Sequence, residues 1–136
     1  MSGARSVATA FAPASVGNVA VGFDILGHTV AALGDRVTVR RRPEPGVSIR
    51  SITGTVVDLP LAAEKNTAGM AALALQRELG LSFGFELDVV KGIPLGSGLG
   101  GSAASAVAAV VAAAAVVDQP LDRTQLLKFA MQGEAV

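Results

Sequence analysis

The segment from Pro94 to Ser105 concentrates residue types that could bind an anionic ligand. It reads Pro-Leu-Gly-Ser-Gly-Leu-Gly-Gly-Ser-Ala-Ala-Ser and carries four glycines between positions 96 and 101. Glycine lets the backbone turn sharply and direct successive N–H groups to one point, and a helix that begins near Ser102 would add the positive end of its dipole. The composition and spacing therefore indicate a phosphate-binding loop.

Two common glycine-rich motifs fit this segment poorly. A P-loop would end in Lys followed by Ser or Thr, and no Lys occupies that place. The dinucleotide pattern G-x-G-x-x-G can be laid on Gly96, Gly98 and Gly101, but the acidic residue expected about 20 positions later would fall between helices, in the range 118–122. The glycines and alanines are also compatible with a structural role in close helix–sheet packing.

The predicted secondary structure places this loop between a strand and a helix. Hydrophobic residues alternate at positions 83, 85, 87 and 89, which is the period of a half-buried strand. Ala and Val fill most of the range 103–117, which is shorter than the roughly 20 residues of a bilayer span. We therefore predict a buried helix here and no membrane partner.

Two more helices carry end signals. Asn66-Thr67 is a predicted N-cap for a helix that ends at Gly80, a glycine in the C-cap position. Asp122 and Gln125 form a predicted capping box at the start of the last helix.

The strands are predicted mainly in the first half of the chain. The alternation from Ser6 to Phe11 predicts a first strand that ends at Pro13. Two further strands, 23–32 and 36–42, are predicted to form a hairpin with a turn at Leu33-Gly34-Asp35. Val47 and Ile49 mark a short strand, and 54–64 is predicted loop. Strands gathered before helices predict an α+β fold of two layers, a mainly antiparallel sheet with helices on one face, in one domain spanning 1–136.

The composition excludes several classes of partner and site. Eleven basic and eleven acidic side chains leave no net charge, so we expect no nucleic-acid partner. The absence of cysteine excludes disulfides and thiolate metal sites. The N-terminal segment is too short and interrupted for a secretory signal, and the expected location is the cytoplasm.

The glycine-rich segment resembles the phosphate-binding motif of the GHMP kinases, a family of small-molecule kinases that includes galactokinase, homoserine kinase and mevalonate kinase. Gly101 replaces a Ser found in many members. The resemblance implies that ATP binds along the whole motif and that the hydroxyl of Ser102 lies near Mg²⁺. The implied ATP-binding residues of the motif are Pro94, Leu95, Gly96, Ser97, Gly98, Leu99, Gly100, Gly101, Ser102, Ala103 and Ala104.

A second segment, Ala14 to Gly27, is similar to the N-terminal signature of the homoserine kinase branch, S-x-N-x-x-x-G-F-D-x-L-G. That resemblance implies L-homoserine as the phosphate acceptor, with Asp24 holding its α-amino group and Asn18 beside it. A carboxylate and an amide can bind an ammonium and a hydroxyl together. Taken singly, either residue is equally typical of a stabilised loop.

Three further positions match the same branch. The resemblance implies that Asn66 and Lys91 line the adenosine pocket and that Glu134 binds Mg²⁺ together with Ser102. Carboxylate and hydroxyl oxygens suit a hard cation that also contacts phosphates. If the resemblance is set aside, Asn66 is interpreted as an N-cap, Lys91 as a surface charge at the end of a strand, and Glu134 as a solvated helix residue.

The resemblance also implies a ribosomal-protein-like fold for an N-terminal ATP-binding domain, followed in family members by a ferredoxin-like domain that is absent from this chain. The residues that complete the substrate site, including arginines for the substrate carboxylate, have no counterpart here. We therefore expect an inactive fragment of a kinase that is compatible with a homodimer when intact. Another GHMP small-molecule kinase and a non-catalytic nucleotide-binding fragment remain alternatives.

Overall fold

The computed structural model describes residues 6–14, 30–55, 59–93, 101–117 and 119–133. Strands and helices alternate only in the second half of this part of the chain. The strands are β1 (Val7–Ala14), β2 (Val30–Arg42), β3 (Val47–Gly54) and β4 (Gly84–Lys91). The helices are α1 (Thr67–Glu78), α2 (Gly101–Ala115) and α3 (Arg123–Gly133), and Ala63–Lys65 forms a single 3-10 turn before α1.

The described strands form one sheet in the order β1-β2-β4-β3. The pairs β1–β2 and β2–β4 are antiparallel, whereas β3 and β4 are parallel. Odd-numbered residues of β4 such as Phe85, Leu87 and Val89 are buried, and Glu86 and Asp88 between them are only partly buried. The alternation predicted for this strand is confirmed, as is the mainly antiparallel α+β architecture.

Helix α2 contacts both layers of the fold. It packs against β1 and β2 in the sheet and against both α1 and α3, which also contact each other. Its Ala and Val residues are buried around most of the circumference, and Val107 and Val111 lie on its exposed stripe. The prediction of a buried helix is confirmed, and small Ala side chains allow this close approach to the sheet.

The predicted turn at 33–35 is wrong, because β2 runs without interruption from Val30 to Arg42. The turn-forming residues are accommodated as an irregularity in pairing: Pro13 is opposite Gly34, whereas the next residue of β1 is opposite Val30. A Cβ at Gly34 would lie 2.2 Å from the ring of Phe11, so the missing side chain permits close strand contact here instead of a turn. Residues 23–29 of the predicted hairpin lie outside the described residues.

The end signals of α1 and α3 act as predicted. At Gly80 (φ +58°) the chain leaves α1 through two hydrogen bonds, from the N–H of Gly80 to the carbonyl of Arg77 and from the N–H of Leu81 to that of Gln76. At the start of α3 the N–H of Asp122 donates to the side chain of Gln125, and the N–H of Gln125 donates to the carboxylate of Asp122. Local sequence thus sets both boundaries.

None of the helices in the described part of the chain combines the length and the apolar character that a bilayer span requires.

Candidate functional site

The two ends of the predicted phosphate-binding segment are formed by regular structure. Strand β4 ends at Lys91, and α2 begins at Gly101. Residues 94–100, which carry most of the predicted ATP contacts, lie outside the described residues. Helix α2 has 15 residues drawn only from Gly, Ser, Ala and Val, so no charged side chain of its own offsets the partial positive charge at its N-terminus.

Lys91 lies inside the protein at the end of β4, with only 4% of its surface exposed. Its ammonium group donates to Asp35 Oδ2 at 2.5 Å and to Ser105 Oγ at 2.7 Å. The hydroxyl of Ser105 donates in turn to Asp35 Oδ2 at 2.6 Å. We call Asp35, Lys91 and Ser105 the buried triad; the predicted role of Lys91 at adenosine stays a prediction.

The backbone beside the buried triad is tightly packed. The N–H of Gly92 donates to Asp35 Oδ1 at 2.9 Å, and a Cβ at Gly92 would lie 1.9 Å from the carbonyl oxygen of Gly34. On the other side, the N–H and the hydroxyl of Thr55 both donate to the carbonyl oxygen of Lys91, at 2.8 and 3.1 Å. Strand β4 is therefore held from both sides where it leads into the segment 94–100.

Asn66 is buried at the N-terminus of α1 and serves as its cap. Its side-chain oxygen accepts from the N–H groups of Ala68 and Gly69 at 3.0 and 3.2 Å, and its amide donates to the carbonyl of Pro60 at 3.1 Å. The predicted N-cap is confirmed. Its proposed contact with adenosine stays a prediction.

Three helix ends meet at Gly133, and each carries a residue near a predicted site residue: Asn66, Ser102 or Glu134. A Cβ placed on Gly133, the last residue of α3, would lie 2.6 Å from the carbonyl oxygen of Thr67 and 3.2 Å from Cβ of Ala106. Thr67 follows the capping residue of α1, and Ala106 lies one helical turn after Ser102. The start of α1, the first turns of α2 and the end of α3 therefore meet at Gly133, the residue that precedes Glu134 in the sequence.

Asn18, Asp24 and Glu134 lie outside the described residues, as does the side chain of Ser102, whose backbone belongs to the first turn of α2. Of the motif residues that follow the glycines, Ala103 is exposed and Ala104 is buried.

A separate groove of about 350 Å³ runs between α2 and α3. Its wall is almost entirely aliphatic, with one guanidinium, and so offers few partners for a polyphosphate or for ribose hydroxyls. The lining residues are Val107, Val110, Val111, Arg123, Leu126, Leu127 and Ala130.

The outer face of the sheet carries an ionic network on the side away from the helices. Asp88 accepts from Arg40 on β2 and from both Arg50 and Ser51 on β3. The Arg50 guanidinium holds the pKa of the Asp88 carboxyl well below its usual range, with further hydrogen bonds from Arg40 and Ser51, although burial opposes the shift. This network ties three strands together and contains none of the predicted site residues.

Sequence reasoning missed Asp35 and Ser105. Asp35 falls in the predicted turn. Because residues two apart on a strand point to the same face, Asp35 lies on the same face of β2 as Val37 and Val39, which are fully buried. Ser105 lies one turn before the buried Ala109 on α2. In both cases the periodicity of the element could have revealed a polar residue that faces the core.

Comparison with known proteins gives the class of this chain. Residues 66–136, just over half of the chain, match the family described as GHMP kinases N terminal domain. The chain belongs to the GHMP kinase family.

Its relatives include homoserine kinases from Xylella fastidiosa, 59% identical over 129 residues, and Xanthomonas campestris, 60% identical over 129 residues. Each alignment covers 95% of this chain and 40% of the relative. The chain therefore spans about 40% of the length of these curated relatives.

Solved structures agree with this placement. The homoserine kinase from Cytophaga hutchinsonii is 45% identical, with a TM-score of 0.85 over 96% of this chain and 41% of that one. A mevalonate diphosphate decarboxylase from Legionella pneumophila, 19% identical with a TM-score of 0.66 over 95% of this chain and 47% of that one, shares the fold.

Proposed function

We propose that this chain is the ATP-binding part of a homoserine kinase, which transfers the γ-phosphoryl group of ATP to the side-chain hydroxyl of L-homoserine. The observation that supports this most strongly is the 59–60% identity to homoserine kinases over 95% of the chain. The product, O-phospho-L-homoserine, would serve threonine biosynthesis. We place the reaction in the cytoplasm.

Positioning and charge stabilisation account for the chemistry in this proposal. The hydroxyl oxygen of homoserine forms a bond to the γ-phosphorus while the bond to the β,γ-bridging oxygen breaks, ADP leaves and the hydroxyl proton is released to water. In this proposal the phosphates bind at the N-terminus of α2, and the glycine-rich segment before it would add further N–H donors. This arrangement is supported by the position of α2, which begins at Gly101 directly after the glycine-rich segment.

The acceptor substrate is assigned to the N-terminal segment. Asp24 pairs with the ammonium group of homoserine and Asn18 lies beside the same substrate, which leaves Asp24 committed to binding. No side chain is assigned as a general base. The substrate carboxylate requires a cationic partner. We assign that partner to a ferredoxin-like domain, which would correspond to the part of the relatives beyond the region that matches this chain.

Mg²⁺ fits the donor set at the other end of the site. Ser102 would supply a hydroxyl and Glu134 a carboxylate, the hard oxygen ligands that Mg²⁺ prefers. The packing of Gly133 within reach of Ala106, one turn after Ser102, supports their convergence. When bound with ATP, the ion would neutralise phosphate charge during transfer.

The direct test compares this chain with a complete kinase. We define the joined kinase as residues 1–136 followed by the C-terminal part of the Xanthomonas campestris homoserine kinase beyond the matched region. With MgATP and a panel of homoserine, mevalonate and galactose, we expect turnover of homoserine within the ordinary enzyme range of about 1–10³ s⁻¹. Preference for mevalonate or galactose would refute the substrate assignment.

The 136-residue chain alone serves as the second arm of the same assay. We expect no comparable turnover from it, because this proposal assigns the cation for the substrate carboxylate to the C-terminal part of the joined kinase. Turnover equal to that of the joined kinase would show that residues 1–136 complete the site, and it would contradict the assignment of the carboxylate's partner to the C-terminal part.

A further inference from the structure

The buried triad is a cluster of polar side chains beside the apolar core. Asp35 is fully buried, and Lys91 and Ser105 are only 4% and 3% exposed. Burial of a carboxylate and an ammonium carries a large desolvation penalty, so a buried ion pair is weak evidence for a gain in stability. An apolar trio would fill this space without that penalty, and the cluster therefore calls for a role other than stability.

The carboxylate of Asp35 is the common acceptor of the cluster. One oxygen accepts from the ammonium of Lys91 and the hydroxyl of Ser105, and the other accepts from the N–H of Gly92. Three donors in fixed directions define the position of each partner more closely than apolar packing does, because hydrogen bonds to a charged group are strong and directional.

The donors come from both sides of the segment 94–100. Lys91 is the last residue of β4, and Gly92 follows it before that segment, whereas Ser105 is the fifth residue of α2 and comes after the segment. Asp35 belongs to neither side, since it lies on β2, the neighbour of β4 in the sheet. One side chain on a third element thus fixes the end of β4 relative to the first turns of α2.

We propose that Asp35 is a positioning residue for nucleotide binding: through Lys91, Gly92 and Ser105 it sets the distance between the end of β4 and the N-terminus of α2. This inference rests on the proposed function, in which phosphates bind between these two ends. Asp35 itself does not contact the nucleotide. Its loss displaces the N–H groups of α2 from the phosphates and leaves the acceptor amino acid unaffected.

Asp88 supplies a matched control. Like Asp35, it is a carboxylate within the sheet that accepts hydrogen bonds from three residues, but its donors are all side chains and it lies on the outer face. In the joined kinase, Asp35→Asn should raise the KM for MgATP about tenfold, the loss of one charge-assisted hydrogen bond. The KM for homoserine should change less than about twofold.

The control and a milder variant separate positioning from stability. Asp88→Asn should lower the melting temperature while leaving the KM for MgATP within about twofold of the wild type. Ser105→Ala removes the two hydrogen bonds that join α2 to Asp35 and Lys91, and it should raise that KM about threefold, even if Asp35→Asn fails to fold. Equal KM values in Asp35→Asn and Asp88→Asn, or an unchanged KM in Ser105→Ala, would overturn the proposal.

A measurement without nucleotide makes the test independent of the kinase assignment. Hydrogen–deuterium exchange on the 136-residue chain should show faster exchange across 92–104 in Ser105→Ala than in Asp88→Asn, with exchange of β1 and β3 no faster than in the control. Unchanged exchange across 92–104 would refute the positioning role. Faster exchange there in a protein that does not phosphorylate homoserine would support the role and refute only the proposed function.

Discussion

Replacement of Gly92 by alanine tests whether nucleotide use depends on the spacing of β2 and β4. A Cβ at position 92 would lie 1.9 Å from the carbonyl oxygen of Gly34, whereas ordinary contact begins at 3.4 Å. The oxygen would have to withdraw by about 1.5 Å to reach that contact. Because the obstructing atom belongs to the backbone and cannot rotate away, the two strands must separate where the N–H of Gly92 donates to Asp35.

The expected loss follows from that displacement. A misplacement of about 1 Å can lower catalytic efficiency about 100-fold. We therefore expect Gly92→Ala in the joined kinase to lower kcat/KM for MgATP about 100-fold at saturating homoserine, as measured by ADP release. Crowding of a packed core should also lower the free energy of unfolding by about 1–3 kcal/mol, as measured by urea denaturation.

Gly84 provides the matched control at the other end of the same strand. A Cβ there would lie 2.2 Å from the carbonyl oxygen of Glu44, also a backbone atom. Gly84→Ala should therefore lose a similar free energy of unfolding while kcat/KM for MgATP stays within about threefold of the wild type. Equal kinetic losses in the two variants, or full activity in a folded Gly92→Ala protein, would refute the dependence on local spacing.

Three further predictions concern separate parts of the protein. Asp24→Asn in the joined kinase should lower kcat/KM for homoserine about ten- to a hundredfold, the range of a lost charge-assisted hydrogen bond, while the KM for MgATP stays unchanged. Ser102→Ala and Glu134→Gln should each lower kcat, and the double variant should lose less than the product of the single losses if both bind one Mg²⁺, which titration of activity with Mg²⁺ can check. Because the folded-state pKa of Asp88 is depressed by Arg50, its contribution to stability is present above about pH 4 and is lost as the pH falls further. Thermal unfolding should show a deficit in Asp88→Asn at pH 7 that shrinks at pH 3, and a constant deficit would contradict the pairing.

Features that depend on a few neighbouring residues were predictable from the sequence. The cap at Asn66, the glycine at position 80 and the capping box of Asp122 with Gln125 all satisfy backbone groups within four residues of themselves. The alternation along β4 likewise predicted a half-buried strand, and the Ala/Val composition of α2 predicted a buried helix. The glycine-rich segment also predicted the family that the comparisons then showed.

Only the tertiary structure determined the features that depend on contacts between residues far apart in the sequence. The turn predicted at 33–35 gave way to a continuous β2, because Gly34 and Asp35 pair with β1, β4 pairs from Arg36 onward, and Gly34 lets Phe11 approach. The parallel pairing of β3 with β4 leaves no local sequence signature. The buried triad joins residues 14 to 70 positions apart, and its geometry arises only when β2, β4 and α2 are packed together.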